Sequence, residues 1–390
     1  MNYPLISSAM LVVTHSCNLR CRYCFVAKQP ACMSYQVAKD TADLLARNAN
    51  KGNSPPSINF FGGEPMLMWD EIIAPLTKYI RQEYGADFQL AITTNGTLFD
   101  AHRLAFMKEN HFGMLLSVDG AKPTQDYNRP YASGAGSFET VSKWFPQLLC
   151  NWPNLTFRMT AIPPTCENLF SDIMFAERSG FKNFFVVPNV FEPWSDEAKA
   201  TIEQQFGMYV EHYIDSFRQG IIPINYSDLD DAFRSINRIN NASQNGEFRV
   251  DNSCHACGKC GLGSNRFASV HPNGDIYACQ EMTSNEGVNS LFYIGNIYTG
   301  VSDDRRKNLC DLFDSRPVSG TNCAECLYNT ICDGGCVANN YMVTGSVSCL
   351  PEMYCWWKQI VLGQAIHIMQ TLGDERNELF GERWKRLCQR

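Results

Sequence analysis

Residues 11–24 read LVVTHSCNLRCRYC, and this stretch decides how the rest of the chain is understood. The apolar run Leu11–His15 is short enough for a buried strand and too short for a helix. It delivers Cys17, Cys21 and Cys24 onto one tight loop with C-x3-C-x2-C spacing. Three thiolates so placed can hold three corners of a cubic [4Fe–4S] cluster and leave the fourth iron open. Such an iron can chelate an amine and a carboxylate from a small molecule. A structural zinc ion would want a fourth ligand, which His15 could supply. Cys32 falls outside the spacing and is read as a bystander.

Working outward, five further apolar runs follow: Ser57–Phe61, Phe88–Thr94, Gly113–Val118, Leu155–Ile162 and Asn183–Pro188. Helical patterns separate them, among them one that Ser34 can cap, with Val37, Thr41, Leu44 and Leu45 on one face, and one from Trp69 to about Tyr84. Short near-continuous apolar strands alternating with helices predict an α/β fold, a partial (β/α)6 barrel of parallel strands. The strands end in Gly62-Gly63, Asn95-Gly96, Asp119-Gly120 and Pro163-Pro164. In parallel α/β folds that edge carries the active site. Residues 1–220 therefore read as the barrel. Residues 221–253, rich in Asn, Ser and Asp, read as a connector. Residues 254–355 form a small Cys-rich domain, and 356–390 C-terminal helices.

Composition narrows the field. With 45% hydrophobic and 19% charged residues the 390-residue chain is globular. A net charge of −7 argues against a general grip on nucleic acid. The first ten residues carry no Lys or Arg, so no secretory signal is expected, and no apolar window is long enough to span a membrane. The 18 cysteines then read as reduced thiols in a cytoplasmic protein, where close spacing points to metal rather than disulfides.

The loop CNLRCRYC, with Tyr23 before the third cysteine, resembles the signature of the radical S-adenosylmethionine (SAM) superfamily. Gly62-Gly63-Glu64-Pro65 looks like the family's SAM-amine motif, and backbone carbonyls with a Glu carboxylate are apt acceptors for an ammonium. Thr94 and Asn95, then Ser117 and Asp119, match later strand-end motifs that approach the ribose. Arg129 and Arg158 are candidates for the SAM carboxylate.

The second cysteine group resembles the SPASM domain of peptide- and protein-modifying radical SAM enzymes. Cys260 is followed by Gly274 and Cys279, and then Cys323-x2-Cys326-x5-Cys332-x3-Cys336 precedes Cys355. The resemblance implies two auxiliary [4Fe–4S] clusters, three clusters in all. One would use Cys254, Cys260, Cys279 and Cys336, the other Cys323, Cys326, Cys332 and Cys355. Cys257 could replace Cys254, and Cys349 could replace Cys355. Paired zinc ribbons on a non-catalytic binding protein are the alternative from another class.

The resemblance implies hydrogen-atom abstraction from a peptide, a leader-bearing precursor, with an electron donor of the flavodoxin or ferredoxin type. Two products fit: a thioether, carbon–carbon or carbon–oxygen cross-link in a ribosomally made peptide, or oxidation of Cys or Ser to formylglycine. Sulfatase-maturating relatives carry an aspartate base directly after the cysteine matching Cys279. Here Gln280 stands there, and an amide cannot take a proton, so cross-linking is favoured. Glu281 is the candidate base. Because the first strand begins near Ala9, no N-terminal leader-binding domain is expected.

Overall fold

The computed structural model describes residues 3–26, 28–52, 54–244, 265–282, 287–314, 325–328, 331–332 and 334–388. Strands β1 (Ser8–Thr14), β2 (Ser57–Gly62), β3 (Gln89–Thr94), β4 (Gly113–Ser117), β5 (Thr156–Ala161) and β6 (Asn183–Pro188) lie side by side in chain order, all parallel. They are the six apolar runs of the sequence. Helices such as Tyr35–Gly52 and Leu169–Arg178 return the chain between them. Ser34 caps the first, its Oγ accepting from Val37 N at 3.2 Å. The helix expected from Trp69 opens with a π turn, Trp69–Ile73, before Ala74–Tyr84 continues as α-helix.

Strand alternation decides what faces the site. In β2, β3, β5 and β6, every second residue is buried, while the intervening ones are half-buried, apart from exposed Gln89 at the start of β3. That second set includes Phe61, Thr93, Arg158, Thr160, Phe185 and Val187, all of which line the hollow inside the barrel. A period of two thus turns one side of each strand mainly to the core and the other to the hollow, with Gly62 and Thr94 joining the lining at the strand tips.

The sheet extends beyond the six strands. β7 (Asn225–Tyr226) adds to β6, and β8 (Phe267–Val270) adds parallel to β1. β9 (Asp275–Tyr277), β10 (Tyr293–Asn296) and β11 (Gly300–Val301) continue as an antiparallel meander. The order is β11-β10-β9-β8-β1-β2-β3-β4-β5-β6-β7, so among the described strands the barrel stays open.

Two expectations need correction here. The stretch 221–253, expected as a connector, carries regular structure: after β7 comes the helix Ser227–Gln244. Leu229, Ala232, Phe233 and Ile236, at helical spacing, are buried. The last helical region begins earlier than expected, at Glu352, placing Cys355 in the first turn of the helix Glu352–Asp374. Trp357 of that helix packs on Phe206 with ring centroids 5.0 Å apart and donates to Tyr226 Oη at 3.3 Å.

Where β1 meets β8, buried His15 and His271 stand edge to face at 5.6 Å. Burial, with His15 adding to it, pushes His271 down to about 4. Below its ordinary value near 6.5 the unfolded chain binds the proton and the folded chain does not, so stability falls as pH drops from about 6.5 toward 4. The total is roughly 3 kcal/mol by linkage. Thermal unfolding should therefore show a loss in that window that His271→Phe largely removes; an equally steep loss in the variant would exclude His271 as its source.

Candidate functional site

The cysteine loop has little regular structure of its own and is held from two sides. On one, Arg20 N donates to Pro130 O at 2.7 Å and Arg22 N to Asn128 O at 3.0 Å. On the other, Gly63 N donates to Thr14 O at 2.8 Å and Glu64 N to Ser16 O at 2.9 Å. The glycines are required by this approach. Gly62 has φ +134°, and a Cβ there would overlap the Thr14 carbonyl oxygen. A Cβ on Gly63 would overlap the Ser16 carbonyl oxygen.

Glu64 ties the tips of β2 and β3 together. Fully buried, its carboxylate accepts from Thr94 Oγ1 at 2.7 Å, Asn95 N at 2.8 Å and Met66 N at 3.1 Å. Burial outweighs these donors and pushes the carboxyl up to about 7, so a cationic partner would favour its charged form. Asn95 Nδ2 donates to Asn18 Oδ1 at 3.0 Å and lies 3.8 Å from Cys17 Sγ.

Cys17, Cys21 and Cys24 line one cavity of about 200 Å³ together with Gly62, Gly63, Glu64, Thr94 and Asn95. Tyr23, Ser117, Arg129 and Arg158 line it too, as do Gln280 and Glu281 from just beyond β9. Pro65 and Asp119, both expected at the cofactor, are not among the residues that line this cavity. Pro65 is buried as the first residue of a 3₁₀ turn capped by Glu64. Asp119, 1% exposed, is occupied by Tyr23 Oη at 2.5 Å, Thr160 N at 2.9 Å and Arg129 Nε at 3.0 Å. Arg129 lines the cavity but is paired with Asp119, so of the two guanidinium groups Arg158 is the better placed to take a further carboxylate. Phe25 and Lys28 also line it and were missed; their place just after Cys24 was the available signal.

A second cavity of about 420 Å³ shares Tyr23, Phe25, Arg158 and Glu281 with the first and reaches Cys336, Trp357 and Lys358. Glu281 therefore stands at the junction. Burial raises its carboxyl above the usual range, with Arg158 opposing.

Of the expected auxiliary ligands, Cys254, Cys260 and Cys323, with the alternative Cys257, lie outside the described residues. Cys279 is buried just after β9; Cys326, Cys332, Cys336 and Cys355, with the alternative Cys349, are half-buried. One local pattern recurs at three expected ligands. Leu19 N lies 3.4 Å from Cys17 Sγ, Glu281 N 3.5 Å from Cys279 Sγ, and Gly334 N 3.4 Å from Cys332 Sγ. Each sulfur is met by the N–H two residues on, a donor arrangement suited to thiolate.

The donors present fit an iron–sulfur cluster and SAM. Burial pushes the Cys21 thiol up to about 11, so it ionises readily only when bound to a cation. N–H donors lie close to the Cys17 and Cys21 sulfurs, and Gly62 and Gly63, which also line the cavity, are held against the cysteine loop at a distance that no Cβ would allow.

Residues 11–170 match the Radical SAM superfamily. A cysteine-type anaerobic sulfatase-maturating enzyme of Clostridium perfringens is 31% identical over 147 residues, covering 36% of this chain and 40% of that protein. A second of the same description, from another strain of that species, is 23% identical over 348 residues, covering 85% of this chain and 89% of the relative. The solved structure described as native anSMEcpe with bound AdoMet and Cp18Cys peptide has a TM-score of 0.72 at 18% identity, covering 94% of this chain and 99% of that one. The Streptococcus suis protein SuiB bound to precursor peptide SuiA has a TM-score of 0.56 at 17% identity, covering 90% and 76%. These likenesses carry the fold of the partial barrel with its Cys-rich extension. Among the described residues no helix is long and apolar enough to cross a membrane.

Proposed function

The chain carries a radical SAM domain in residues 11–170 and is an enzyme, and on that premise we propose that it abstracts a hydrogen atom from a peptide side chain held in the paired cavities. The observation that carries this reading is the convergence of the three-cysteine loop, the Gly62–Glu64 tip and the strand-end residues on one hollow that opens, past Arg158 and Glu281, into a second. When bound, the cluster and SAM supply one electron and a 5′-deoxyadenosyl radical. The rest falls to the protein. Cys17, Cys21 and Cys24 would hold the cluster. Gly62, Gly63 and Glu64 would accept from the SAM amine, Arg158 would fork onto its carboxylate, and Asn95 and Ser117 would face the ribose. The second cavity positions the peptide and excludes water.

The product we propose is a cross-link in a ribosomally made peptide, with two auxiliary clusters held in the Cys-rich region. Gln280, where sulfatase-maturating relatives place an aspartate, supports it. A second reading, formylglycine formation, is favoured by Glu281: one residue on, its carboxyl faces the same hollow. Anaerobic reconstitution should give a brown protein with about twelve irons, from four per cubic cluster. It should form 5′-deoxyadenosine from SAM. Mass spectrometry of treated Cys-containing peptides then separates the products: a cross-link loses two hydrogens, whereas Cys becoming formylglycine also exchanges sulfur for oxygen. A colourless zinc protein defeats both.

In either chemistry we assign removal of the substrate's proton to the Glu281 carboxylate, because Glu281 lines both cavities. Glu281→Gln should lower product formation about 100-fold or more while 5′-deoxyadenosine still forms, the range expected for loss of a general base. Unchanged product yield would remove Glu281 from the mechanism.

A further inference from the structure

Arg129 and Asp119 are paired with each other beside the cysteine loop. Arg129 is 6% exposed and Asp119 1%, and their side chains pair at 3.0 Å (Nε) and 3.1 Å (Nη2). The other terminal nitrogen of Arg129, Nη1, lies 3.9 Å from Cys21 Sγ. The guanidinium therefore forms a bridge, with a carboxylate on one side and a prospective cluster thiolate on the other. Tyr23, between Cys21 and Cys24, closes the arrangement: its Oη donates to Asp119 at 2.5 Å, and its ring stands 5.3 Å from the guanidinium carbon. Thr160 N and the Gln125 side chain fix Asp119 from behind, Thr160 N donating to Oδ1 at 2.9 Å and Gln125 Oε1 accepting from Asp119 N at 2.9 Å.

The backbone around Arg129 is fixed as well. Residues 128–131 run alongside the cysteine loop, with the Asn128 and Pro130 carbonyls accepting from Arg22 N and Arg20 N and an isolated bridge joining Leu19 to Tyr131. A cation set this firmly beside a sulfur does not need to reorganise when the charge on that sulfur changes. Burial also strengthens its field, since little water intervenes.

We propose that Arg129, held by Asp119 and Tyr23, is a positioning residue that sets the reduction potential of the cluster carried by Cys17, Cys21 and Cys24 through the Cys21 sulfur. This rests on the cluster assignment above. Reduction adds one negative charge to the cluster, so a nearby fixed positive charge and N–H donor favour the reduced form. Asp119 offsets that charge, which makes the pair, rather than Arg129 alone, the determinant of the potential. The same commitment explains why Arg129 is unsuited to the SAM carboxylate: its fork is already occupied.

The test is a dithionite titration of the reconstituted full-length protein, following the reduced cluster by electron paramagnetic resonance, with iron counted for each variant. Arg129→Met should make reduction at least tenfold less favourable, a downward shift of about 59 mV for one electron. Arg129→Lys, which keeps the charge, should recover most of it. Asp119→Asn, which leaves the cation uncompensated, should move the potential upward. Full iron with an unchanged potential in Arg129→Met overturns the proposal. If that variant fails to retain iron, Asp119→Asn decides, an unchanged or lower potential overturning it. Failure of the wild-type protein to assemble a cubic cluster is a separate result, and it would defeat the cofactor assignment itself.

Discussion

Replacing Cys17, Cys21 or Cys24 singly by alanine should abolish 5′-deoxyadenosine formation from SAM, measured by chromatography after anaerobic reconstitution. Iron should fall by about four per chain, the content of one cubic cluster. Loss is expected to be complete because the three thiols share one loop and one cavity, and among the described residues no fourth cysteine lines it. Cys32 lies outside the cavity, its Sγ 3.3 Å from Thr14 Oγ1, and cannot substitute. A variant forming 5′-deoxyadenosine at the wild-type rate would overturn the assignment of this loop.

Gly63→Ala should be nearly as damaging without removing any ligand. The new methyl would overlap the Ser16 carbonyl oxygen, and the Ser16 carbonyl carbon lies 2.6 Å away, so backbone, not a flexible side chain, would have to move. Overpacking of this kind costs about 1–3 kcal/mol, and rigid backbone puts this site at the upper end. The displaced backbone is the cysteine loop itself. We expect a lower melting temperature of the metal-free protein and loss of iron from the first site. Gly207→Ala is the control: it lies in the helix Asp196–Arg218 with nothing within 4 Å of the added carbon. It should stabilise by roughly 0.5–1 kcal/mol, as removing a helical glycine does. Equal melting temperatures for Gly63→Ala and wild type would mean that the close approach is not needed.

The strands and their tips were legible because buried parallel strands must be apolar and must end where the chain turns toward a site. Ser57–Gly62 and Gln89–Thr94 differ from the expected runs by a single residue at one end. The helix Ser227–Gln244 was misread because its many Asn, Ser and Asp residues mask a narrow apolar stripe. Leu229, Ala232, Phe233 and Ile236 carry the signal at i, i+3, i+4 and i+7. Partner choice between charged groups left no trace in sequence. Asp119 and Arg129 are ten residues apart, and nothing in the sequence says that they pair; the short helix Lys122–Asn128 between them, fixed by Gln125 and Ser137, brings the two together. The pairing of β8 with β1 spans more than 250 residues and follows from no local pattern.

That last pairing bears on how the protein is made. β1 is synthesised first yet lies in the interior of the finished sheet, with β2 on one flank and β8 on the other. Until residues 267–270 leave the ribosome, one side of β1 presents unpaired backbone donors and acceptors next to the loop that carries the first three cysteines. Arg306 then reaches back to Pro4 O at 3.0 Å and Asn265 O at 2.9 Å, fastening the amino-terminal segment to late-arriving chain. The amino-terminal half thus reaches its full backbone pairing only once the carboxy-terminal half has been made, and until then the open flank of β1 is an edge of the kind that invites misassociation.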